Sequence, residues 1–161
     1  MSIDPLLQLL RSSGRLPVTE LAERLSLPED EVRARLEAWE KDGTILGFQA
    51  VVNQELTDDQ KVSAFIEVKI SPEKEGGFDR MARRIAKFEQ VSSCHLLSGG
   101  YDLLLLVEGS DLMEVARFVS EKLSSMEGVI STATHFRLKT YKELGLDFNG
   151  EDDPDRLPVS A

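Results

Sequence analysis

A single cysteine, Cys94, stands among 161 residues, which excludes an intrachain disulfide framework. Long hydrophobic runs are missing too: the longest uninterrupted apolar stretch is 103–107, far below the roughly 20 residues of a membrane-spanning helix. Basic charge is scarce. Nineteen Lys and Arg face 29 Asp and Glu, a formal charge of -10, so the bulk field repels nucleic acid and anionic membranes, and any DNA contact has to be local. The opening residues carry no positive region followed by a hydrophobic core, so the expectation is a cytoplasmic chain without a secretory signal. Glycine-rich phosphate loops, nucleophile elbows and His-Glu-x-x-His are absent from the sequence, and neither cofactor nor metal is expected. What is there, 41% hydrophobic and 30% charged residues, is the balance of a globular chain of one compact domain or two small ones.

The acidity is unevenly spread. Residues 1–53 carry 6 basic and 9 acidic side chains, 54–146 carry 12 and 15, and 147–161 carry 1 and 5. The last segment holds Glu151, Asp152 and Asp153 between few apolar anchors and reads as a solvated tail. Four of the ten net negative charges therefore belong to the tail.

The first fifty residues read as three short helices. Leu6, Leu7 and Leu10 lie at helical spacing, with a stop near Ser12 or Ser13 ahead of Gly14. A second helix follows Pro17, with Thr19 able to cap and Leu21, Ala22 and Leu25 on one face. In the third, Pro28 suits the first turn, Glu29 to Glu31 suit the positive end of the dipole, and Val32, Leu36 and Trp39 form the apolar stripe before Gly43. Residues 44–53, with Ile45, Phe48, Val51 and Val52 around Gly47, read as two short strands or a hairpin. Together these describe a winged helix-turn-helix, or a three-helix packing module that binds protein or nothing. Under the first reading Arg33 and Arg35 are the phosphate or base contacts, and Arg11, Arg15 and Lys41 touch the backbone. Glu29, Asp30 and Glu31 then sit where the helix tip meets DNA, which points to weak or salt-sensitive binding.

Offsetting the remainder against itself by 38 residues brings Phe65 onto Leu103, Val68 onto Leu106, Met81 onto Val119 and Ile85 onto Leu123. Each copy reads strand, helix, strand: 63–70, 77–88 and 91–97, then 102–109, 112–125 and 129–138. Two such units make a ferredoxin-like β-α-β-β-α-β arrangement with both helices on one sheet face. The first strand points Ala64, Ile66, Val68 and Ile70 one way and Phe65, Glu67 and Lys69 the other, while 103–107 is apolar on both sides. A strand greasy on both faces needs cover on both, which predicts a homodimer joined through the sheets.

Between the copies lies Ser98-Gly99-Gly100-Tyr101-Asp102. It reads either as a hairpin turn capped by Asp102, or as a pocket for a zwitterion, with amides and the Ser98 hydroxyl for a carboxylate and Asp102 for an ammonium. Cys94 and His95 are successive strand residues facing opposite ways, and His95 and His135 fall on strands expected at opposite sheet edges, so no metal site is expected.

In combination these motifs carry a resemblance. A third helix with Glu31-Val32-Arg33-Ala34-Arg35-Leu36-Glu37 ending in Lys41-Asp42-Gly43-Thr44-Ile45, then the duplicated unit with Ser98-Gly99-Gly100-Tyr101-Asp102-Leu103-Leu104 at its centre and Ser131-Thr132-Ala133-Thr134 in its last strand, resembles the Lrp/AsnC (feast/famine) transcription regulators over residues 1 to about 142. The resemblance implies an α+β chain: a winged helix-turn-helix DNA-binding domain (1–53), a linker (54–62) and a ferredoxin-like RAM-type domain that binds effector and oligomerises (63–142); the acidic tail (143–161) is additional to the family pattern. It implies a non-enzymatic regulator of promoter or operator DNA, a homodimer assembling to a tetramer or octamer, with an amino-acid effector bound between dimers near Ser98, Gly99, Gly100, Tyr101 and Asp102. Thr132 and Thr134 match last-strand threonines that line such a pocket, and Arg33 and Arg35 match the basic positions of the reading helix. Pro28-Glu29-Asp30-Glu31 replaces the small polar start usual there. Two alternatives remain: an amino-acid sensor with a degenerate DNA-binding domain acting through protein contacts, and an enzyme like the siroheme decarboxylases, which resemble the same family. The histidine- and arginine-rich segment of those enzymes is replaced here by Ser93-Cys94-His95-Leu96-Leu97.

Overall fold

Leu6 and Leu10 face inward from a first helix, α1 (Pro5–Ser12), in the computed structural model, which describes residues 3–58, 61–71 and 77–148. The Asp4 side chain caps α1 by accepting from the Leu6 amide at 2.9 Å, with Pro5 at the first position, where its missing N–H costs nothing. Helices α2 (Val18–Leu25) and α3 (Glu29–Asp42) follow, and Leu6, Leu10, Leu21, Ala22 and Val32 form one buried cluster. The apolar spacing placed all three helices, but two caps differ. Helix α2 starts at Val18 with no side-chain cap, so Thr19 lies within it, and Pro28 precedes α3 in an extended conformation without entering its first turn. Gly43, at φ 80°, ends α3, and the Ile45 amide closes back on the Trp39 carbonyl at 2.9 Å.

The hairpin expected over 44–53 does not form: no residue there is in a strand. A two-stranded ribbon is marginal unless a third layer buries one side, and here Leu46 stays 96% exposed while Phe48 covers Gly14 only edge-on, 3.2 Å from where its Cβ would be. Unit one, Met1–Val51, is thus a three-helix body with an irregular extension.

Unit two, Val52–Ala161, opens on a 3-10 turn, Gln54–Leu56. Its elements run β1 (Val62–Ile70), α4 (Gly77–Ile85), β2 (Val91–Leu96), β3 (Leu103–Gly109), α5 (Leu112–Arg117, continuing as a π-helical Phe118–Leu123) and β4 (Val129–Phe136). The antiparallel sheet has the order β2-β3-β1-β4, as the duplicated pattern predicts. Ala64, Ile66, Val68 and Ile70 of β1 and Leu103, Leu105 and Val107 of β3 are buried against Met81 and Ile85 of α4 and Val115, Phe118 and Leu123 of the α5 segment. Both helices therefore cover one face. The other face carries Phe65, Glu67 and Lys69 beside Leu104 and Leu106; among the described residues of unit two no helix packs over it, and Phe65 is 39% exposed.

The chain does not pass into a featureless tail at 143. A small hairpin, β5 (Lys142–Glu143) and β6 (Leu146–Asp147), extends the described structure to Phe148, whose amide bonds the Tyr141 carbonyl at 2.9 Å. Arg137 lies beside it, donating to the Ser63 hydroxyl at 2.8 Å and facing Glu143 at 3.9 Å. The acidic residues 151–155 lie outside the described residues. Among the described residues no helix is long and apolar enough to cross a membrane.

Candidate functional site

The β2–β3 connection is built by hydrogen bonds on either side of an open loop. The Leu97 amide donates to the Asp102 carbonyl at 2.9 Å, and the Asp102 amide donates to the Val68 carbonyl at 3.0 Å. One oxygen of the Asp102 carboxylate accepts the Ile70 amide at 2.8 Å, 32 positions away in sequence. This bond pins the loop to the end of β1, past the last β1–β3 pair at Val68 and Leu103, although Ile70 still pairs with Val129 of β4. Ser98, Gly99 and Gly100 are exposed, and Tyr101 and Asp102 half-buried. Gly99 has φ 153°, which disfavours a side chain, and no atom lies within 4 Å of where a Cβ on Gly99 or Gly100 would sit. A ligand can therefore meet the backbone amides directly.

The two sequence readings of this loop converge in one residue. Asp102 is the structural cap of the bland reading, yet only one of its oxygens is used for it, leaving acceptor capacity on the other. Exposed Leu96 and Leu97 flank the loop, an apolar border that polar motifs in the sequence do not signal. Thr132 and Thr134 are half-buried on β4, on the helix-covered side, because they lie opposite Val68 and Ile66. Val68 also pairs with Leu103, so Thr132 sits at the loop's end of the sheet, two strand spacings or about 10 Å across. Its hydroxyl lies 3.3 Å from that of Ser124. Thr134 is two residues further from that end, so one chain does not gather both threonines around the loop.

The basic residues of unit one separate into two kinds. Arg33, Arg11, Arg15 and Lys41 are exposed. Arg35 is engaged: it pairs with Asp4 at 3.2 Å and with Glu31 one turn earlier. The Glu31 pair follows helical i,i+4 spacing, but the Asp4 pair was invisible to it, since Asp4 precedes another helix. Glu29 and Asp30 remain exposed at the α3 tip.

The histidines fall as expected, His95 on edge strand β2 and His135 on the opposite edge, β4. His135 faces Glu67 at 3.6 Å on the uncovered sheet face. Cys94 turns the other way, toward the Ala82 carbonyl of α4 at 3.8 Å, and burial pushes its thiol pKa up, away from nucleophilic or metal-binding use. Among the described residues no group of His, Cys, Asp or Glu is placed to hold a metal ion.

A duplicated β-α-β sheet with this loop at its centre, preceded by three helices, defines a class. Residues 63–146 match the Lrp/AsnC ligand binding domain, and the chain belongs to the Lrp/AsnC family of transcriptional regulators. Among individual relatives, it is 38% identical over 156 residues to YugG, an uncharacterized HTH-type transcriptional regulator of Bacillus subtilis, covering 96% of this chain and 94% of that one. It is 33% identical over 141 residues to the proline dehydrogenase transcriptional activator of Rhizobium radiobacter, covering 88% and 90%. Among solved structures, a transcriptional regulator of Neisseria meningitidis in complex with L-Met aligns at TM-score 0.68 and 31% identity, over 92% of this chain and 98% of that one. These relatives are named as regulators, not enzymes.

Proposed function

We propose that this regulator senses a small zwitterion, an amino acid, at the loop 98–102, and transmits its binding to DNA-reading helices in a homo-oligomer. The observation that carries the reading is the loop itself: open backbone at Gly99 and Gly100 beside the Ser98 hydroxyl and a carboxylate held in place by the Ile70 amide. The amides and hydroxyl suit a ligand carboxylate, and the free oxygen of Asp102 suits an ammonium. The L-Met complex of the Neisseria relative supports the ligand class. Helices α2 and α3 form the helix-turn-helix, with Arg33 reading DNA and Arg11 and Lys41 on phosphates. Dimers join through the uncovered face around Phe65, Leu104 and Leu106, and further assembly brings Thr132 and Thr134 of neighbouring copies toward the ligand.

Calorimetry across the twenty amino acids, with Asp102→Ala as control, tests the ligand reading. Binding of one or a few amino acids that the variant weakens supports it, and undiminished affinity in the variant overturns the role of Asp102. A second reading, a sensor acting through protein contacts, is favoured by the ion pairs of Arg35 and the acidic α3 tip. Fluorescence anisotropy with DNA from the protein's own upstream region separates the two: a steep salt slope with sequence preference supports the DNA reader. Absence of binding at low salt selects the sensor.

A further inference from the structure

The sequence gives the expected reading helix the wrong charge for DNA. Helix α3 carries Arg33, Arg35 and Lys41 against Glu29, Asp30, Glu31, Glu37, Glu40 and Asp42, a balance of -3. Arg35 is also taken up by Asp4 and Glu31. The opposite balance occurs in the other unit. Residues 77–88 hold Arg80, Arg83, Arg84 and Lys87 against Asp79 alone, a balance of +3, inside a chain of formal charge -10.

The fold turns that count into a surface. Met81 and Ile85 are buried and Phe78 and Ala82 half-buried beneath α4, so helical periodicity sends 80, 83, 84 and 87 to the opposite side. All four are exposed. Arg83, Arg84 and Lys87 make no side-chain ion pair among the described residues, although Asp79 stands one turn from Arg83 and Glu89 follows Lys87. Exposed Lys122, 5.7 Å from the Phe88 ring, adds a further cation beside this stripe. From 80 to 87 the stripe is about 10 Å long at 1.5 Å per residue. Neither the core nor the loop 98–102 uses these side chains.

We propose that the outer face of α4 is a DNA-phosphate contact surface, supplying sequence-independent affinity that α3 lacks. It rests on the reading that the chain binds DNA. Phosphate oxygens are the partner that this arrangement suits: Arg83, Arg84 and Lys87 present guanidinium and ammonium groups without an ion pair among the described residues, with neither the apolar pocket nor the aromatic stack that a peptide or base would require. Affinity then divides between the units, α3 contributing preference and α4 counterion release.

The test is the salt dependence of DNA binding by the full-length protein, with a duplex from its own upstream region. Each lost phosphate contact lowers the slope of log K against log salt by about 0.9. Arg83→Gln/Arg84→Gln should therefore flatten the slope by about 1.8 for each subunit whose α4 meets the DNA, so that the affinity lost between 50 and 200 mM salt shrinks about tenfold per such subunit. Light scattering should show the same oligomer as wild type, since both residues are on the surface. Lys139→Gln/Lys142→Gln removes the same charge elsewhere and should leave the slope unchanged. A wild-type slope in the α4 variant, the result if the acidic residues 151–155 or a protein occupied the helix, overturns the proposal while leaving DNA reading intact. Equal flattening in the control variant also overturns it, by assigning the effect to total charge. Failure of the wild-type protein to bind DNA at any salt removes both this proposal and the reading beneath it.

Discussion

At Asp102 an observed role in the fold meets a proposed role toward the ligand. Its carboxylate accepts the Ile70 amide at 2.8 Å, and removing the acceptor leaves a partly buried donor unpaired, a cost of about 1 to 2 kcal/mol. Asp102→Ala should lower stability in urea by that amount as well as weaken amino-acid binding. Asp102→Asn keeps an acceptor for Ile70 but loses the charge, so it should recover most of the stability without recovering affinity. Equal recovery of both would reduce Asp102 to a turn residue. Arg33 and Arg35 make a second contrast. Both looked like DNA contacts by position, but Arg35 bridges Asp4 and Glu31, and half-exposed pairs of this kind are worth up to about 1 kcal/mol. Arg35→Ala should cost unit one about 0.5 to 1 kcal/mol by thermal or urea unfolding, whereas Arg33→Ala should leave stability unchanged and weaken DNA binding.

At the scale of elements, helix starts carry much of the local logic. Asp111 caps α5 by accepting the Glu114 amide at 2.8 Å, and Glu114 reaches back to the Ser110 amide at 2.7 Å and its hydroxyl at 2.8 Å. Those bonds, the amide first, hold the Glu114 pKa below its ordinary 4.5. A carboxylate with a depressed folded-state pKa stabilises the fold above its unfolded value and loses that contribution as pH falls through the folded one. The stability difference between wild type and Glu114→Gln should therefore be flat above about pH 5 and shrink as pH falls below it. Urea midpoints measured across that range check the sign, and a difference growing toward acid would refute it. The apolar periods that placed α1 to α5 and β1 to β4 were legible because burial against one layer imposes them. The hairpin of β5 and β6 was not, because its turn holds Leu144 at φ 48° before Gly145 at φ 85°, where Asn or Asp would have announced it.

For the whole molecule, the proposed assembly turns on the sheet face opposite the helices. Phe65, Leu104 and Leu106 form its apolar centre, with Glu67 and His135 paired at 3.6 Å beside it. Leu106→Glu places a charge there without disturbing the helix-covered core, so sedimentation should show monomer where wild type sediments as dimer or larger. A variant that keeps the wild-type sedimentation would move the interface elsewhere. The loop 98–102 and α4 belong to the same unit as this face, so under the proposed function an effector that changed the oligomer would also change how many cationic α4 helices one DNA meets.

Composition, period and the 38-residue duplication by themselves determined the α+β class, the two helix-bearing units, the strand order and the loop as a place to look, because each follows from which residues must be buried and which must turn. Tertiary structure alone decided the partners. It showed that Arg35 is already paired with Asp4, that Asp102 spends one oxygen on Ile70, that Thr134 lies away from the loop within one chain, and that 44–53 forms no hairpin. The physical reason is common to all four: hydrogen bonds, ion pairs and strand pairing act between groups close in space, and sequence spacing reports distance only within a single helix or strand.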